Sequence, residues 1–265
     1  MYPRATVNEA LRLHAQGWTD HAVAQACNVS VQSVRNWRTG RRRRSTKNES
    51  ETYCPRCSGA SLDHRAYSYL LGLYLGDGYI GYVGERAKKV WALQISCAND
   101  WPGLVQECTN ALHTVLPNHR VIVVNRTGCK DVKAYWKHWL CIFPQHGARR
   151  KHERQISLAE WQIAIVENHP REFVRGLIHS DGCRTTNRVR RMVDGEWKYY
   201  EYPRYFFSNA SRDILGLLVV MLDLLGIEWK FRWKRGREGH QVQGIVSIAK
   251  KPSVALLDSF VGPKY

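Results

Sequence analysis

The chain contains two copies of a short apolar run, each with the pattern of a helix and each ending in Asp-Gly. The copies span residues 70–78 and 174–182, and their acids, Asp77 and Asp181, are separated by 104 positions. A glycine five residues before each acid is repeated at the same offset. Such a repeat predicts two similar modules joined head to tail. Each module then places one carboxylate where a helix stops, and two carboxylates that meet can hold a divalent metal ion.

The charge of the chain favours a polyanionic partner. Its 265 residues carry a formal net charge of +17, and the pI is near 9.7. Lysine and arginine side chains that meet phosphates release condensed counterions, which favours binding to nucleic acid. The hydrophobic fraction of 44% is sufficient for a packed core. We therefore predict one small domain and one larger domain.

No segment of the sequence is predicted to enter a membrane or to direct secretion. The first residues have the pattern of an amphipathic helix. The longest apolar run, residues 214–227, is short for a bilayer and is interrupted by Asp223. Eight cysteines in a chain without a visible leader indicate reduced thiols. We therefore expect a cytoplasmic, nucleoid-associated protein that does not bind membranes.

Residues 6–39 are predicted to form a helix-turn-helix. Apolar residues recur at helical spacing, Asn28 lies at a tight turn, and Ser30 can cap a third helix. Several side chains of that helix and of the segment after it can reach base edges and phosphates. They are Gln32, Ser33, Arg35, Asn36, Arg38, Arg41 and Arg42. We assign residues 1–45 to a DNA-binding domain, with a three-helix protein-binding module as the alternative.

A basic linker, residues 46–65, contains the sequence Cys54-Pro-Arg-Cys57. This spacing is typical of a zinc knuckle, so Cys54 and Cys57 are candidate zinc ligands. Structural zinc is held by four ligands. The candidates for the missing ligands are His64, Cys27 and His14. An incidental turn without metal is the alternative.

The two modules, residues 66–168 and 169–265, are predicted to share one element order. Hydrophobic periodicity in each gives helix, hairpin, helix, hairpin, helix. The predicted fold class is therefore α+β, with two pseudo-symmetric αββαββα modules after a small all-α domain.

One predicted strand of the second module, residues 228–235, has an apolar face and a cationic face. Tryptophan and phenylalanine alternate with lysine and arginine along it. A cationic face suits a sheet that lies along a duplex groove, although surface strands also carry such residues for solubility alone. The candidates for DNA contact in this module are Arg184, Arg188, Lys230, Arg232 and Lys234.

At its two repeated motifs the chain resembles the LAGLIDADG homing endonuclease family, in the single-chain form that has two motifs. The resemblance covers about residues 66–265. It implies motif helices that approach closely through glycines. The glycines concerned are Gly72, Gly76 and Gly176. It also implies a monomeric, site-specific endonuclease for double-stranded DNA, in which Asp77 and Asp181 bind magnesium ions and two sheets form a saddle over the duplex.

The motifs depart from the family pattern at the earlier acid position, where Leu75 and His179 stand. The resemblance also implies a lysine near the start of the helix that follows the last strand of each module. Lys250 and Lys251 fit this position in the second module, and Lys250 is the catalytic candidate. Several residues fit in the first module, and the choice among them stays open. They are Gln145, His146, Arg149, Arg150 and Lys151.

The order of the helix-turn-helix, the CPRC sequence and the two motifs also resembles free-standing bacterial proteins described as regulators. A related sporulation regulator family joins the same fold to a helix-turn-helix that follows it, and generally lacks the metal-binding acids. This chain keeps both acids. The alternative function is a non-cleaving, sequence-specific transcriptional regulator, and a third is an RNA-splicing maturase.

Overall fold

The chain folds into two compact units, Met1–Thr52 and Tyr53–Tyr265. The computed structural model describes residues 2–39, 54–83, 90–234, 241–262 and 264. Arg41 and Arg42, which the sequence suggests for DNA contact, lie outside the described residues. Within the described ranges, no helix is both long enough and apolar enough to cross a bilayer.

Three short helices form the first unit: α1 (Arg4–Ala15), α2 (Asp20–Ala26) and α3 (Val31–Arg38). The Thr19 hydroxyl caps α2, and Ser30 Oγ caps α3 by accepting from Ser33 N at 3.2 Å. Asn28 has a φ of 51°, the left-handed conformation that asparagine tolerates at a tight turn. The helices enclose a small core of Val7, Ala10, Leu13, Val23, Ala24, Val34 and Trp37. The predicted helix-turn-helix is confirmed.

The second unit begins with a short helix and then repeats one order of elements. The first half contains α4 (Pro55–Ser58), α5 (His64–Asp77), β1 (Gly78–Val83), β2 (Val90–Ala98), α6 (Pro102–Val115), β3 (Val121–Arg126), β4 (Cys129–Trp136), α7 (Trp139–Ile142) and α8 (Glu160–Asn168). The second half contains α9 (Pro170–Asp181), β5 (Gly182–Val193), β6 (Glu196–Asn209), α10 (Arg212–Leu224), β7 (Lys230–Lys234), β8 (Gln243–Ile248) and α11 (Lys251–Asp258).

Each half forms an antiparallel four-stranded sheet with the same topology. The strand orders are β1-β2-β4-β3 and β5-β6-β8-β7. The predicted α+β class and the predicted repeat of two hairpin-containing modules are therefore confirmed.

Helix α10 covers most of the apolar run at 214–227, and its residues Ile214, Leu218 and Leu222 are fully buried, as expected of a core helix.

The second sheet has two features that the sequence pattern did not show. Only residues 205–209 of β6 pair with β8, so the rest of the β5–β6 hairpin projects as a two-stranded ribbon. Strand β7 is shorter than predicted, and its Phe231 and Trp233 are 40% and 45% exposed. Because β7 is an edge strand, its apolar face is only partly covered.

Candidate functional site

The two motif helices, α5 and α9, pack against each other at a pair of glycines. A Cβ atom added at Gly72 would lie 2.9 Å from Gly176 Cα, and one added at Gly176 would lie 3.0 Å from Gly72 Cα. Both neighbours are backbone atoms, which cannot move aside unless a whole helix shifts. The structure therefore brings together two of the glycines that the resemblance singled out.

The third motif glycine, Gly76, lies where the ends of the two helices meet. A Cβ atom there would overlap the Ser180 side chain and would lie 3.2 Å from Asp181 Oδ2. Helix α5 ends at Asp77, the next residue, and α9 ends at Asp181. The two motif acids therefore leave their helices side by side.

The electrostatic environment raises the pKa of both acids. Asp77 is accessible to solvent, but surrounding protein displaces much of its water. This desolvation, together with the charge of Asp181, raises the pKa of Asp77 to about 6. Burial also raises the pKa of Asp181, although Asn209 Nδ2 donates to its Oδ2 at 2.6 Å and opposes the shift. A cleft of about 320 Å³ opens beside Asp181.

A lysine lies at the end of each motif helix. Lys151 Nζ donates to the carbonyl oxygens on both sides of Asp77, including that of Gly78 at 3.0 Å. Lys264 Nζ donates to the carbonyl oxygens on both sides of Asp181, at 3.1 Å and 2.6 Å. A helix C-terminus leaves such carbonyls without partners and favours a cation there. Burial lowers the pKa of Lys151 to about 8, and it also lowers the pKa of Lys264.

Lys264, and not the sequence-predicted Lys250, contacts the end of α9. The Lys250 side chain is 62% exposed, and its Nζ pairs with Glu228 rather than with a motif-helix end. Lys264 lies 83 positions after its motif acid, whereas Lys151 lies 74 positions after its own. The offset of the repeat therefore does not relate the two lysines, and no sequence signal marked Lys264.

The residues at the earlier acid position, Leu75 and His179, are both buried in the core. His179 Nδ1 accepts from the Tyr69 hydroxyl at 2.8 Å, and its Nε2 donates to Val261 O at 2.9 Å. Val261 O can only accept, so Nε2 carries a proton, and burial lowers the pKa of His179 to about 4, which leaves Nδ1 of the neutral ring as the acceptor. His179 therefore ties α5 to the C-terminal segment and does not add a charge at the acids.

The second sheet has a cationic surface, which we call its outer face. It is the face opposite to Tyr205 and Phe207, which are fully buried. Strand register places Lys230 level with Ser247, and Ser247 level with Phe206, on this face. Among the described residues, its cations are Arg191, Lys198, Arg204, Lys230, Arg232 and Lys234. Glu196 lies on the same face at the hairpin turn.

Arg184 and Arg188 lie on the other face of this sheet. Arg184 pairs in register with the buried Tyr205 and donates from its Nε to Asp258 Oδ1 at 2.7 Å. Arg188 stacks over the Tyr199 ring, 4.3 Å from its centroid. The sequence did not predict the outer-face cations of β5 and β6. Alternate residues of a strand point to opposite faces, and only the pairing of β5 with β6 shows which set of alternate residues lies on the outer face.

The first sheet has a different charge on its equivalent face. Asp131 pairs in register with Ser96, whose hydroxyl donates to Asp131 Oδ1 at 2.8 Å. Arg126 and Lys133 lie 2.9 Å and 3.4 Å from Asp131 Oδ2. This carboxylate therefore offsets the cations around it, and the two sheets are not electrostatically equivalent.

Helix α3 presents the polar side chains that the sequence predicted to be accessible. Gln32, Arg35 and Arg38 are exposed, while Ser33 and Asn36 are partly exposed. Both arginines approach Asp20 Oδ2, Arg35 at 3.5 Å and Arg38 at 3.2 Å. This shared carboxylate holds the two guanidinium groups on one side of the helix.

A second cluster of ligand-type side chains surrounds the CPRC sequence. We call it the Cys/His cluster, and it consists of Cys54, Cys57, His138 and Cys141. The sulfur and nitrogen atoms of the four residues all lie within 4.8 Å of one another. The expected further ligands were different: His64 lies near the His169 ring, while His14 and Cys27 belong to the first unit.

Comparisons with known proteins agree with this architecture. A family model described as a homeodomain-like domain matches residues 7–44. No curated protein matches the chain.

Solved structures of the homing endonuclease I-DmoI are similar to the chain. Mesophilic variants of I-DmoI share 13% identity, with 75% of this chain and 96% of that chain covered and a TM-score of 0.51. I-DmoI in complex with DNA and Mn also shares 13% identity and a TM-score of 0.51, with 76% and 99% covered. Full-length WhiA from Thermatoga maritima shares 14% identity over 81% of this chain and 60% of that one, with a TM-score of 0.43. The two I-DmoI comparisons, with TM-scores above 0.5, show that the chain has a homing-endonuclease fold.

Proposed function

We propose that this chain binds double-stranded DNA and hydrolyses phosphodiester bonds on it, using magnesium ions at Asp77 and Asp181. The observation that supports this most directly is the meeting of the motif-helix ends, where a Cβ atom at Gly76 would clash with the Ser180 side chain and would lie 3.2 Å from Asp181 Oδ2. One chain supplies both acids, so the proposed enzyme acts as a monomer.

The side chains at the helix ends fit magnesium. Mg²⁺ prefers hard oxygen ligands and is usually held by one or two carboxylates together with water and substrate phosphate. Asp77 and Asp181 supply such carboxylates, and a bound cation would oppose the rise in pKa that desolvation causes at each of them. When bound, the metal would lower the pKa of a coordinated water and stabilise negative charge on phosphate oxygens.

The acids and the lysines at the helix ends have different proposed roles. Asp77 and Asp181 each serve one strand, since one acid belongs to each module. Lys151 and Lys264 hold the carbonyl groups that flank these acids and so fix the direction in which each carboxylate leaves its helix. Their ammonium charges also favour the approach of a scissile phosphate.

Contact with the duplex is assigned to two surfaces. The exposed side of α3 carries amide and guanidinium groups that can read base edges in a major groove, as in other helix-turn-helix domains. The outer face of the second sheet carries the cations that meet phosphates. We therefore expect the salt dependence of DNA affinity to reflect the phosphate contacts that the outer face makes.

The first prediction concerns that outer face. In the triple variant Lys230→Ala, Arg232→Ala and Lys234→Ala, we expect DNA affinity to fall. The slope of log K against log salt should become shallower by roughly 0.9 for each lost phosphate contact. Titration of a labelled duplex at several salt concentrations measures both quantities. The control is Arg171→Ala, which removes an exposed arginine at the opposite end of α9 from Asp181. An equal change of slope in both proteins would count against the assignment.

The second prediction separates Lys264 from Lys250. Lys264→Met should slow cleavage by about 100-fold, because it removes a cation and frees two carbonyl groups beside Asp181. Lys250→Met should leave the rate unchanged, because its charge pairs with Glu228 at the surface. Single-turnover cleavage rates and DNA affinity are measured for both variants. A larger loss in Lys250→Met would restore the sequence-based assignment.

The decisive experiment for the function is a selection against a randomised duplex library. Purified full-length protein is incubated with the library and Mg²⁺, and both cut and bound molecules are sequenced. Cutting of both strands at a common site supports the proposed endonuclease. Tight, sequence-specific binding without a nick at any Mg²⁺ or Mn²⁺ concentration would contradict cleavage and indicate a DNA-binding regulator instead.

A further inference from the structure

We propose that the Cys/His cluster binds one zinc ion as a closed structural site. Nothing in the proposed DNA chemistry requires this site, so it stands independently of the function assigned above. Its donors are three thiols and one imidazole, a set typical of structural zinc. All four positions of a tetrahedron are filled by protein, which leaves none open for a substrate or a reactive water.

The distances between the donor atoms match a zinc site. A tetrahedron with metal–ligand bonds of 2.0–2.3 Å has edges of about 3.5–3.8 Å. The Cys57 and Cys141 sulfur atoms lie 3.5 Å apart. His138 Nδ1 lies 3.6 Å from Cys57 Sγ and 3.7 Å from Cys141 Sγ. Three of the six edges, those among Cys57, His138 and Cys141, thus already have lengths close to those of a zinc site. Cys54 Sγ lies within 4.8 Å of the same three atoms.

The backbone holds both halves of the cluster in the same way. Cys57 N donates to Cys54 O at 3.2 Å, and Cys141 N donates to His138 O at 3.0 Å. Each pair of donors is therefore presented by one turn with a spacing of three residues. Gly59 ends the first turn with a φ of 69°, a conformation that residues with a side chain rarely adopt. The two turns face each other across the cluster.

The cluster joins the start of the second unit to the first motif helix. Ile142, the residue after Cys141, accepts a hydrogen bond from the Tyr67 hydroxyl of α5 at 2.5 Å. Gln162 of α8 donates to the same hydroxyl at 2.7 Å. A bound zinc ion would therefore fix α4 against α7, and through α7 would support the buried Tyr67 of α5.

Metal analysis of the purified full-length chain tests the proposal. Zinc supplied during expression should remain at about one equivalent per chain after dialysis, and should fall to a tenth or less of that in Cys57→Ser and in His138→Asn. His138→Cys should retain zinc, because a four-thiolate site also binds it. Cobalt substitution should give thiolate charge-transfer and tetrahedral d–d absorption bands, which Cys57→Ser should lose.

Two controls make the outcome specific. Cys183→Ser removes an exposed thiol outside the cluster and should keep the zinc. The double variant Asp77→Asn, Asp181→Asn should also keep the zinc. This result would show that the zinc is bound at the Cys/His cluster and not at the proposed magnesium site. A wild-type chain without zinc, zinc retained by Cys57→Ser, another metal at the cluster, or a Cys57–Cys141 disulfide in its place would each overturn the proposal.

Discussion

Asp77→Asn and Asp181→Asn are each expected to reduce cleavage of the proposed target by about 10³-fold on the strand that the acid serves, without weakening DNA binding. The amide keeps the shape of the side chain but removes the negative charge that holds the metal ion. In Asp181→Asn, the amide also removes the charge that, after desolvation, contributes to the raised pKa of Asp77. Strand-specific nicking of a duplex with a different label on each strand measures the effect.

The matched control is Asp100→Asn, which makes the same substitution at an exposed turn outside the site. Binding should be equal in all four proteins when Mg²⁺ is replaced by Ca²⁺. Unchanged nicking of both strands in either motif variant would exclude metal-assisted hydrolysis at these acids.

Gly72→Ala and Gly176→Ala are each expected to lower the free energy of unfolding by about 3 kcal/mol. At either position the added methyl group meets the backbone of the facing helix, within 3.0 Å of several atoms. The helices can accommodate it only by separating, which would also move Asp77 relative to Asp181. Urea unfolding of the full chain gives the change in stability, and strand-specific nicking gives the change in activity.

Gly216→Ala is the control for these two variants, because it makes the same substitution at a helical glycine where the methyl group meets no other atoms. Gly216 lies inside α10, and a Cβ atom there would have no neighbour within 4 Å. Alanine should therefore increase stability by about 0.5–1 kcal/mol, because it restricts the unfolded chain without a clash. A loss of stability in Gly216→Ala similar to that in Gly72→Ala would show that the effect is not specific to the helix contact.

The parts of the fold that could be predicted from the sequence depend on local patterns. The stop of each motif helix at Asp-Gly follows from the periodicity of the preceding residues and the glycine after it. Ser30 and Asn28 mark the boundaries of the helix-turn-helix for equally local reasons, a cap and a left-handed turn. The resemblance of the two motifs to the LAGLIDADG family implied that Gly72 and Gly176 would lie where the motif helices approach each other, which alignment of the motifs alone did not show.

The parts that could not be predicted depend on contacts between distant segments. His138 and Cys141 join the CPRC sequence only because β4 and α7 bring them there. Lys264 reaches its helix end from the C-terminal segment, at a spacing that the first module does not share. Strand register places Arg191, Lys198 and Arg204 on the outer face, and Arg184 and Arg188 on the other face. A shift of the register by one residue would exchange the faces of the residues on the shifted strand.

The unequal charge of the two sheets gives the molecule a polarity. Asp131 offsets Arg126 and Lys133 on the first sheet, whereas no described residue offsets Lys230, Arg232 or Lys234 on the outer face of the second. A two-fold symmetric dimer offers identical surfaces to both ends of a target and so suits palindromes. A single chain whose two sheets attract phosphate unequally binds the two ends of a DNA target differently. On a non-palindromic duplex, its two orientations differ in free energy, and one is preferred.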